Sequence, residues 1–287
     1  MAGTPIETVR TIAELRAAVA RWRNAGEKVA LVPTMGALHA GHLDLVRAGK
    51  AHAHRVVVSI FVNPKQFAPH EDFGRYPRDV DGDRGKLAGV GADLVWVPDG
   101  AEMYPEGFAT RIEPMGAAQG LETDFRPHFF GGVTTVCCKL FSAATPDFAT
   151  FGEKDYQQLC VIRQMVRDLN LPLEILNVPT AREGDGLALS SRNQYLSEQE
   201  RAAAPTLYKV IRDIAAACET PDALATLTAV GRDTIAKAGF RQVDYVAVRD
   251  AETLGPWHPH RPGRVLVAAW MGKTRLIDNV AVPVRSM

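Results

Sequence analysis

The chain has 287 residues, 46% of them hydrophobic and 23% charged, which suits one large or two smaller domains with a real core. Its 33 basic residues are balanced by 33 acidic ones, which excludes broad electrostatic attraction to nucleic acid or an anionic membrane. No apolar stretch reaches the ~18 residues of a membrane span, and the N-terminal MAGTPIETVR lacks the apolar core of a signal peptide.

In chain order, Lys28–Pro33 (KVALVP) reads as a buried strand and His42–Ala53 as a helix. Arg55–Val62 (RVVVSIFV) is a second, β-branched strand. Asp79–Val90 reads as a helix and Ala92–Pro98 as a third strand. Val133–Ala144 is an apolar helix that carries Cys137 and Cys138 as buried small hydrophobes. With Cys160 and Cys218 these cysteines form no CxxC pair, so neither a zinc cage nor a redox motif is indicated, and a reducing, cytoplasmic setting is expected. Asp147–Gly152 is a short strand, followed by a helix over Asp155–Leu169 and a strand over Leu173–Val178. Such β–α alternation with near-continuous apolar strands predicts an α/β fold with a parallel sheet covered on both faces.

The character then changes. A helix-rich stretch runs from Ser197 to about Ala238, opened by a capping box of Ser197 and Glu200. Strands are expected over Gln242–Val248, Arg264–Trp270 and Thr274–Ile277. The expected division is therefore a first domain over residues 1–176 and a smaller α+β domain over 177–287.

Three segments carry chemistry. Met35–His42 (MGALHAGH) follows the first strand, where an open α/β sheet usually binds its ligand. Gly36 and Gly41 allow close backbone approach. A helix starting near His39–His42 would aim free N–H groups and its positive dipole end at a phosphate, with the two imidazoles on one face. The plainer readings are a packed surface turn or a metal pair, the latter poor for want of a third ligand. Gly152-Glu153-Lys154-Asp155 follows another strand: the lysine suits phosphate and the aspartate ribose hydroxyls, although a solvated helix start is the commoner case. Leu189-Ser190-Ser191-Arg192 offers two hydroxyls and a guanidinium to phosphate, or else a polar N-cap. Gln66 and Gln158 add uncharged amides suited to a small hydroxy acid, and the polar loop Ala68–Pro77 is either a lid or plain surface.

Together these residues resemble the pantothenate synthetases, pantoate–β-alanine ligases of the nucleotidyltransferase superfamily. The likeness is carried by PTMGALHAGH, SIFVNPKQF, RYPRD, FGEKDYQQL and GLALSSRNQYLS, in family order. The resemblance implies a Rossmann-like N-terminal domain, a smaller C-terminal domain and a homodimer. It implies ATP as co-substrate with Mg2+, and pantoate and β-alanine as substrates. It also implies a pantoyl-adenylate intermediate, with release of pyrophosphate and AMP. By position, Met35, Gly36, Ala37, Leu38, His39, Ala40, Gly41 and His42 correspond to the ATP-binding turn, with His42 the proton donor. Gly152, Glu153, Lys154 and Asp155 correspond to a second ATP segment, Ala181 to a backbone contact, and Leu189, Ser190, Ser191 and Arg192 to a loop that closes on the phosphates. Gln66, Gln158 and Arg126 correspond to substrate contacts. One stretch departs: Arg126–Val133 reads RPHFFGGV where the family more often shows RPGHFRGV, so Gly131 replaces an arginine and His128 inherits no role. Asp79, Asp81 and Asp83 are carboxylates near enough in sequence to be weighed as magnesium ligands. The alternatives are another HxGH-type nucleotidyltransferase, such as a cytidylyltransferase, and a catalytically silent nucleotide-binding protein. A tRNA synthetase is disfavoured by the short, neutral chain.

Overall fold

The computed structural model describes residues 6–68 and 71–284. The chain divides into two compact units, Met1–Glu153 with Val161–Pro179 and Lys154–Cys160 with Thr180–Met287. The first unit runs β1 (Glu7–Val9), α1 (Ile12–Asn24), β2 (Val29–Thr34), α2 (Ala40–His52), β3 (Arg55–Ile60), α3 (Val80–Gly89), β4 (Leu94–Trp96), α4 (Gly100–Met103), α5 (Glu122–Phe125), α6 (Phe129–Ala144) and β5 (Phe148–Gly152). Then come α7 (Tyr156–Asp168), whose residues up to Cys160 count with the second unit, and β6 (Glu174–Val178). The sheet has the order β1-β4-β3-β2-β5-β6 and every pairing is parallel.

The apolar runs explain this sheet. Val29–Val32 of β2 and Val56–Val58 of β3 are all 0% exposed, so both faces are covered. On one face Ala30, Val32, Val56, Val58 and Val95 pack with Leu45 and Val46 of α2 and Leu87 of α3. Gly49 lets α2 lie close: a Cβ there would stand 3.2 Å from Ala30 Cβ and 3.3 Å from Val56 Cγ2. The chain goes from β2 to β3 on one side and returns to place β5 on the other. The strand order thus reverses beside β2, at its border with β5, which is where such sheets open a crevice at their carboxyl ends.

The second unit contains α8 (Glu198–Ala203), α9 (Thr206–Ala217), α10 (Leu224–Lys237), β7 (Gln242–Asp250), β8 (Gly263–Met271) and β9 (Thr274–Val282). Its sheet is an antiparallel meander, β7-β8-β9. Leu207, Ile211 and Ile214 of α9 and Ile235 of α10 bury against Val246, Val248, Val265 and Val267 of the sheet. The expected α/β class, parallel sheet and smaller α+β unit are therefore all present. The Ser197 capping box also forms, with Ser197 Oγ accepting from Glu200 N at 3.3 Å and Glu200 Oε2 from Ser197 N at 2.8 Å.

Two elements are additional to the sequence reading. β1 and α1 precede the first expected strand, and α1 opens on a second capping box, with Thr11 Oγ1 accepting from Glu14 N and Glu14 Oε2 from Thr11 N. The pattern Thr-Ile-Ala-Glu ahead of buried Leu15, Ala18 and Val19 is the signal for it. α6 begins at Phe129 rather than Val133: Gly131 and Gly132, poor helix formers, sit inside its first turns and hide its start in the sequence. No helix among the described residues is long and apolar enough to cross a membrane.

Candidate active site

Thr34 ends β2 and the chain turns at once. Gly36 has φ +83 and Ala37 φ +53, both in the left-handed region. α2 then starts at Ala40 with His39 at its N-cap. A side chain from α3 fixes this turn. Asp83, 1% exposed, accepts from Ala37 N through Oδ2 at 2.8 Å and from Leu38 N through Oδ1 at 2.9 Å. Lys86 closes the clamp, its Nζ donating to Leu38 O at 2.9 Å. A Cβ at Gly36 would come within 3.2 Å of the Asp83 carboxylate and 3.1 Å of Ile60, a tight fit at a φ of +83 that strains any other residue.

The two histidines of the turn stand together, ring centroids 4.1 Å apart. His39 N donates to His42 Nδ1 at 3.3 Å. A nitrogen that accepts carries no proton, so the neutral His42 ring has its proton on Nε2. The ring is thereby set as an Nε2–H donor at the start of a helix.

Gln66 follows β3 on a short 3-10 turn, Pro64–Gln66. Its Nε2 donates to Met35 Sδ at 3.3 Å, which puts this amide beside the first residue of the histidine turn. Asn63, 1% exposed, orients it. Asn63 Nδ2 donates to Gln66 Oε1 at 3.0 Å and to Gly132 O at 3.1 Å, while Asn63 Oδ1 accepts from the Tyr104 hydroxyl at 2.7 Å. Burial pushes the Tyr104 hydroxyl well above its ordinary range, so it remains a donor. Gly132 allows the close approach, since a Cβ there would run into the Lys65 carbonyl and Gln66 nitrogen. Cys137 is likewise raised by burial, to about 12, and behaves as an apolar group rather than a nucleophile.

Arg126 has partners of its own. It pairs bidentately with Glu71, Nε to Oε1 at 2.7 Å and Nη2 to Oε2 at 2.8 Å, lies 3.9 Å over the Phe129 ring and donates to Gln66 O at 3.3 Å. Its charge is spent on holding Glu71, of the expected lid loop, next to Gln66; Pro69 and His70 of that loop lie outside the described residues. The departure at Gly131 leaves room that the Arg111 guanidinium occupies.

In the second unit Lys154 and Asp155 lie on a 3-10 turn ahead of α7, their charged ends 3.8 Å apart. Gln158 is half-buried on the first turn of α7. Ala181 and Leu189 face each other across a hairpin, Leu189 N donating to Ala181 O at 2.9 Å. Ser190 then caps the 3-10 turn Ser191–Tyr195, its Oγ accepting from Arg192 N at 3.3 Å. The plain capping role is thus real, and it fixes where the Ser191–Tyr195 turn begins.

The three carboxylates weighed for magnesium do not converge. Asp79 caps α3 through Gly82 N at 2.9 Å, Asp81 pairs with Arg84 at 3.1 Å, and Asp83 is the clamp of the histidine turn. No group of three His, Cys, Asp or Glu among the described residues could hold a metal ion.

A profile of the pantoate–β-alanine ligase family matches residues 7–281. The chain belongs to that family. Pantothenate synthetase of Mesorhizobium japonicum is 56% identical over 278 residues, 97% of this chain and 98% of the relative. That of Caulobacter vibrioides is 54% identical, covering 96% and 98%. Among solved structures, pantothenate synthetase from Thermus thermophilus superposes with a TM-score of 0.87 at 47% identity, covering 96% of this chain and 99% of the other. Pantoate–β-alanine ligase from Francisella tularensis, complexed with beta-gamma ATP and β-alanine, gives 0.80 at 34% identity, covering 96% and 97%. Membership makes this chain a ligase of pantothenate biosynthesis. Three residues support the candidate site from outside the roles read in the sequence: Asn63 and Tyr104 were not candidates, and Asp83 was weighed only for magnesium. Asn63 lay within the quoted SIFVNPKQF, whereas Asp83 and Tyr104 reach their partners from 45 and 41 positions away.

Proposed function

We propose that this chain condenses pantoate with β-alanine at the expense of ATP, through pantoyl adenylate. The observation that carries the reading is the contact of Gln66 with Met35, which sets an amide suited to a hydroxy acid beside a turn suited to phosphate. The beta-gamma ATP and β-alanine bound by the Francisella relative support both co-substrates.

In the first step a pantoate carboxylate oxygen attacks the α-phosphorus, the bond to the bridging oxygen breaks and pyrophosphate leaves. The carboxylate is already ionised, so the step needs charge neutralised on phosphorus and pyrophosphate more than it needs a base. His42 supplies a donor through Nε2–H, the first N–H groups of α2 supply more, and Lys154, Ser190, Ser191 and Arg192 serve the departing phosphates. Asp155 accepts from the ribose hydroxyls. Gln66 and Gln158 hold the hydroxy acid, and Arg126 keeps Glu71 and the Gln66 carbonyl in register. In the second step the β-alanine amine attacks the acyl carbon, AMP leaves with the bonding electron pair, and the nitrogen sheds its extra proton. Mg2+ is expected to travel with the triphosphate. Among the described residues no group of carboxylates is gathered to hold it, and the roles assigned above are those of the chain's own residues. We further assign a homodimer, to be read from sedimentation equilibrium.

Pyrophosphate–ATP isotope exchange tests the reaction. It is expected to require pantoate and not β-alanine, and the nucleotide product is expected to be AMP. Formation of ADP, or exchange without pantoate, sinks the adenylate route.

A further inference from the structure

Two adjacent residues on β9 reach the segments of the second unit assigned to phosphate. Asn279 is 2% exposed. Its Nδ2 donates to Lys154 O at 2.8 Å, and its Oδ1 accepts from Arg264 Nε at 2.6 Å. A guanidinium only donates, so the amide can face one way: oxygen to Arg264, nitrogen to the Lys154 carbonyl. Arg264 is itself held, 4.1 Å over the Tyr156 ring, and the Tyr156 hydroxyl donates to Ala251 O at 2.8 Å.

Asp278, 4% exposed, takes the Arg182 guanidinium bidentately at 2.7 and 2.8 Å. Asp278 Oδ1 also accepts from Asn279 N at 2.7 Å, which ties the two side chains into one frame. Arg182 lies on the hairpin that leads to Ser190. It donates to Gly186 O at 3.0 Å and stacks 3.9 Å from the Tyr208 ring. Gly186, φ +95, has no room for a Cβ against Tyr208, so the hairpin cannot relax in that direction.

We infer that Asp278 and Asn279 are a positioning pair for the adenylation step: Asn279 anchors the backbone of Lys154, and Asp278, through Arg182, anchors the hairpin that delivers Ser190–Arg192. The inference rests on the roles proposed above for Lys154 and the Ser190–Arg192 loop. Neither residue of the pair touches substrate. Their effect is to register two separated segments against one strand, where a misplacement of about 1 Å is enough to cost about 100-fold in rate.

The test uses the full-length protein with Asn279→Asp, which keeps the acceptor for Arg264 and removes the donor to Lys154. Pyrophosphate–ATP exchange and aminolysis of supplied pantoyl adenylate are measured separately, with Lys154→Ala alongside. The expected result is a fall of about 10- to 100-fold in exchange, with aminolysis and the KM for pantoate within about threefold of the unaltered enzyme. Exchange at the normal rate overturns the inference, and so does a parallel fall in both half-reactions together with the melting temperature, which marks a merely structural role. Should Asn279→Asp not fold, Arg264→Lys frees the amide to rotate and must give the same split between half-reactions; its absence is equally fatal. Lys154→Ala separates the two layers. If it depresses exchange while Asn279→Asp does not, the anchoring alone is wrong. If it leaves exchange intact, the role of Lys154 falls and the inference with it.

Discussion

In the first unit one buried side chain, Asp83, takes the N–H groups of both Ala37 and Leu38, whereas in the second the Lys154 backbone and the Ser190 hairpin hang on a web of Arg182, Asp278, Asn279 and Arg264. A single clamp, when removed, takes an acceptor from Leu38 N, which is buried, and from Ala37 N, which is half-buried. A web with several acceptors re-routes: Arg182 still has the Gly186 and Asn279 carbonyls if Asp278 is lost. The first unit thus concentrates the support of its proposed phosphate segment at one point, and the second spreads it.

The sharpest way to break that contrast is Asp83→Ala. Two charge-assisted hydrogen bonds vanish and the buried Leu38 N–H loses this acceptor, so about 3–5 kcal/mol of stability is expected to go. Urea unfolding reads this, and adenylation should fall at least about 100-fold as the turn loosens. Unchanged stability would mean the turn holds itself. His42→Gln comes next and separates holding from chemistry: adenylation is expected to drop about 100- to 1000-fold while stability stays within about 1 kcal/mol. Asp278→Ala probes the web. Breaking a buried pair ordinarily costs about 3–5 kcal/mol, and the remaining acceptors of Arg182 should hold the loss to about 2 kcal/mol. A larger loss than that of Asp83→Ala reverses the contrast.

Tyr104→Phe is milder. Asn63 loses one donor and the Gln66 amide one restraint, which amounts to about 1 kcal/mol, or about fivefold in the KM for pantoate with that for ATP unmoved. Equal shifts in both constants would detach Tyr104 from acid recognition. The smallest effect concerns Asp185, at the tip of the second unit's hairpin. Its carboxyl is held below the ordinary value by the Arg201 guanidinium and the Leu187 N–H. A depressed carboxyl stabilises above its unfolded value and loses that contribution only as pH falls through the lower folded one, so activity should be flat over about pH 5 to 8 on this account. Asp185→Asn should lower stability slightly and evenly above about pH 4 and converge with the unaltered protein in acid, as urea unfolding across pH would read.

How much of this was legible in the sequence follows from where the partners lie. Hydrophobic runs of β2, β3 and β5 were plain because burial on both faces leaves a continuous apolar stretch. The histidine turn was visible because its glycines and helix start are local. α1 escaped although Thr11 and Glu14 announce it, since its apolar face is only Leu15, Ala18 and Val19 among many charges. Asp83 was weighed as a metal ligand, for a carboxylate near a phosphate turn invites that reading; its acceptors' donors lie on Ala37 and Leu38, and no local pattern points there. The same holds for Asp278 and Asn279, whose alternation in β9 is interrupted by buried polar residues that only the long-range contacts explain. Arg126 suggested a substrate contact, and its bidentate pair with Glu71, 55 positions away, had no local signal.

The strand order also sets a timetable for synthesis. β2 meets β3 almost at once, but its other neighbour pairs Ala30 with Phe148, so the crevice beside it waits until that strand has emerged. α3 emerges long before, which lets Asp83 seize the histidine turn while one flank of the sheet is still open. The meander β7-β8-β9 closes in sequence order, each strand pairing with the next. Since domains tend to fold as the chain emerges, a nascent chain paused before Thr274 would already hold its first clamp, yet Lys154 and the Ser190 hairpin would still lack their shared frame. The two segments proposed to serve phosphate thus gain their common anchor only when β9 arrives.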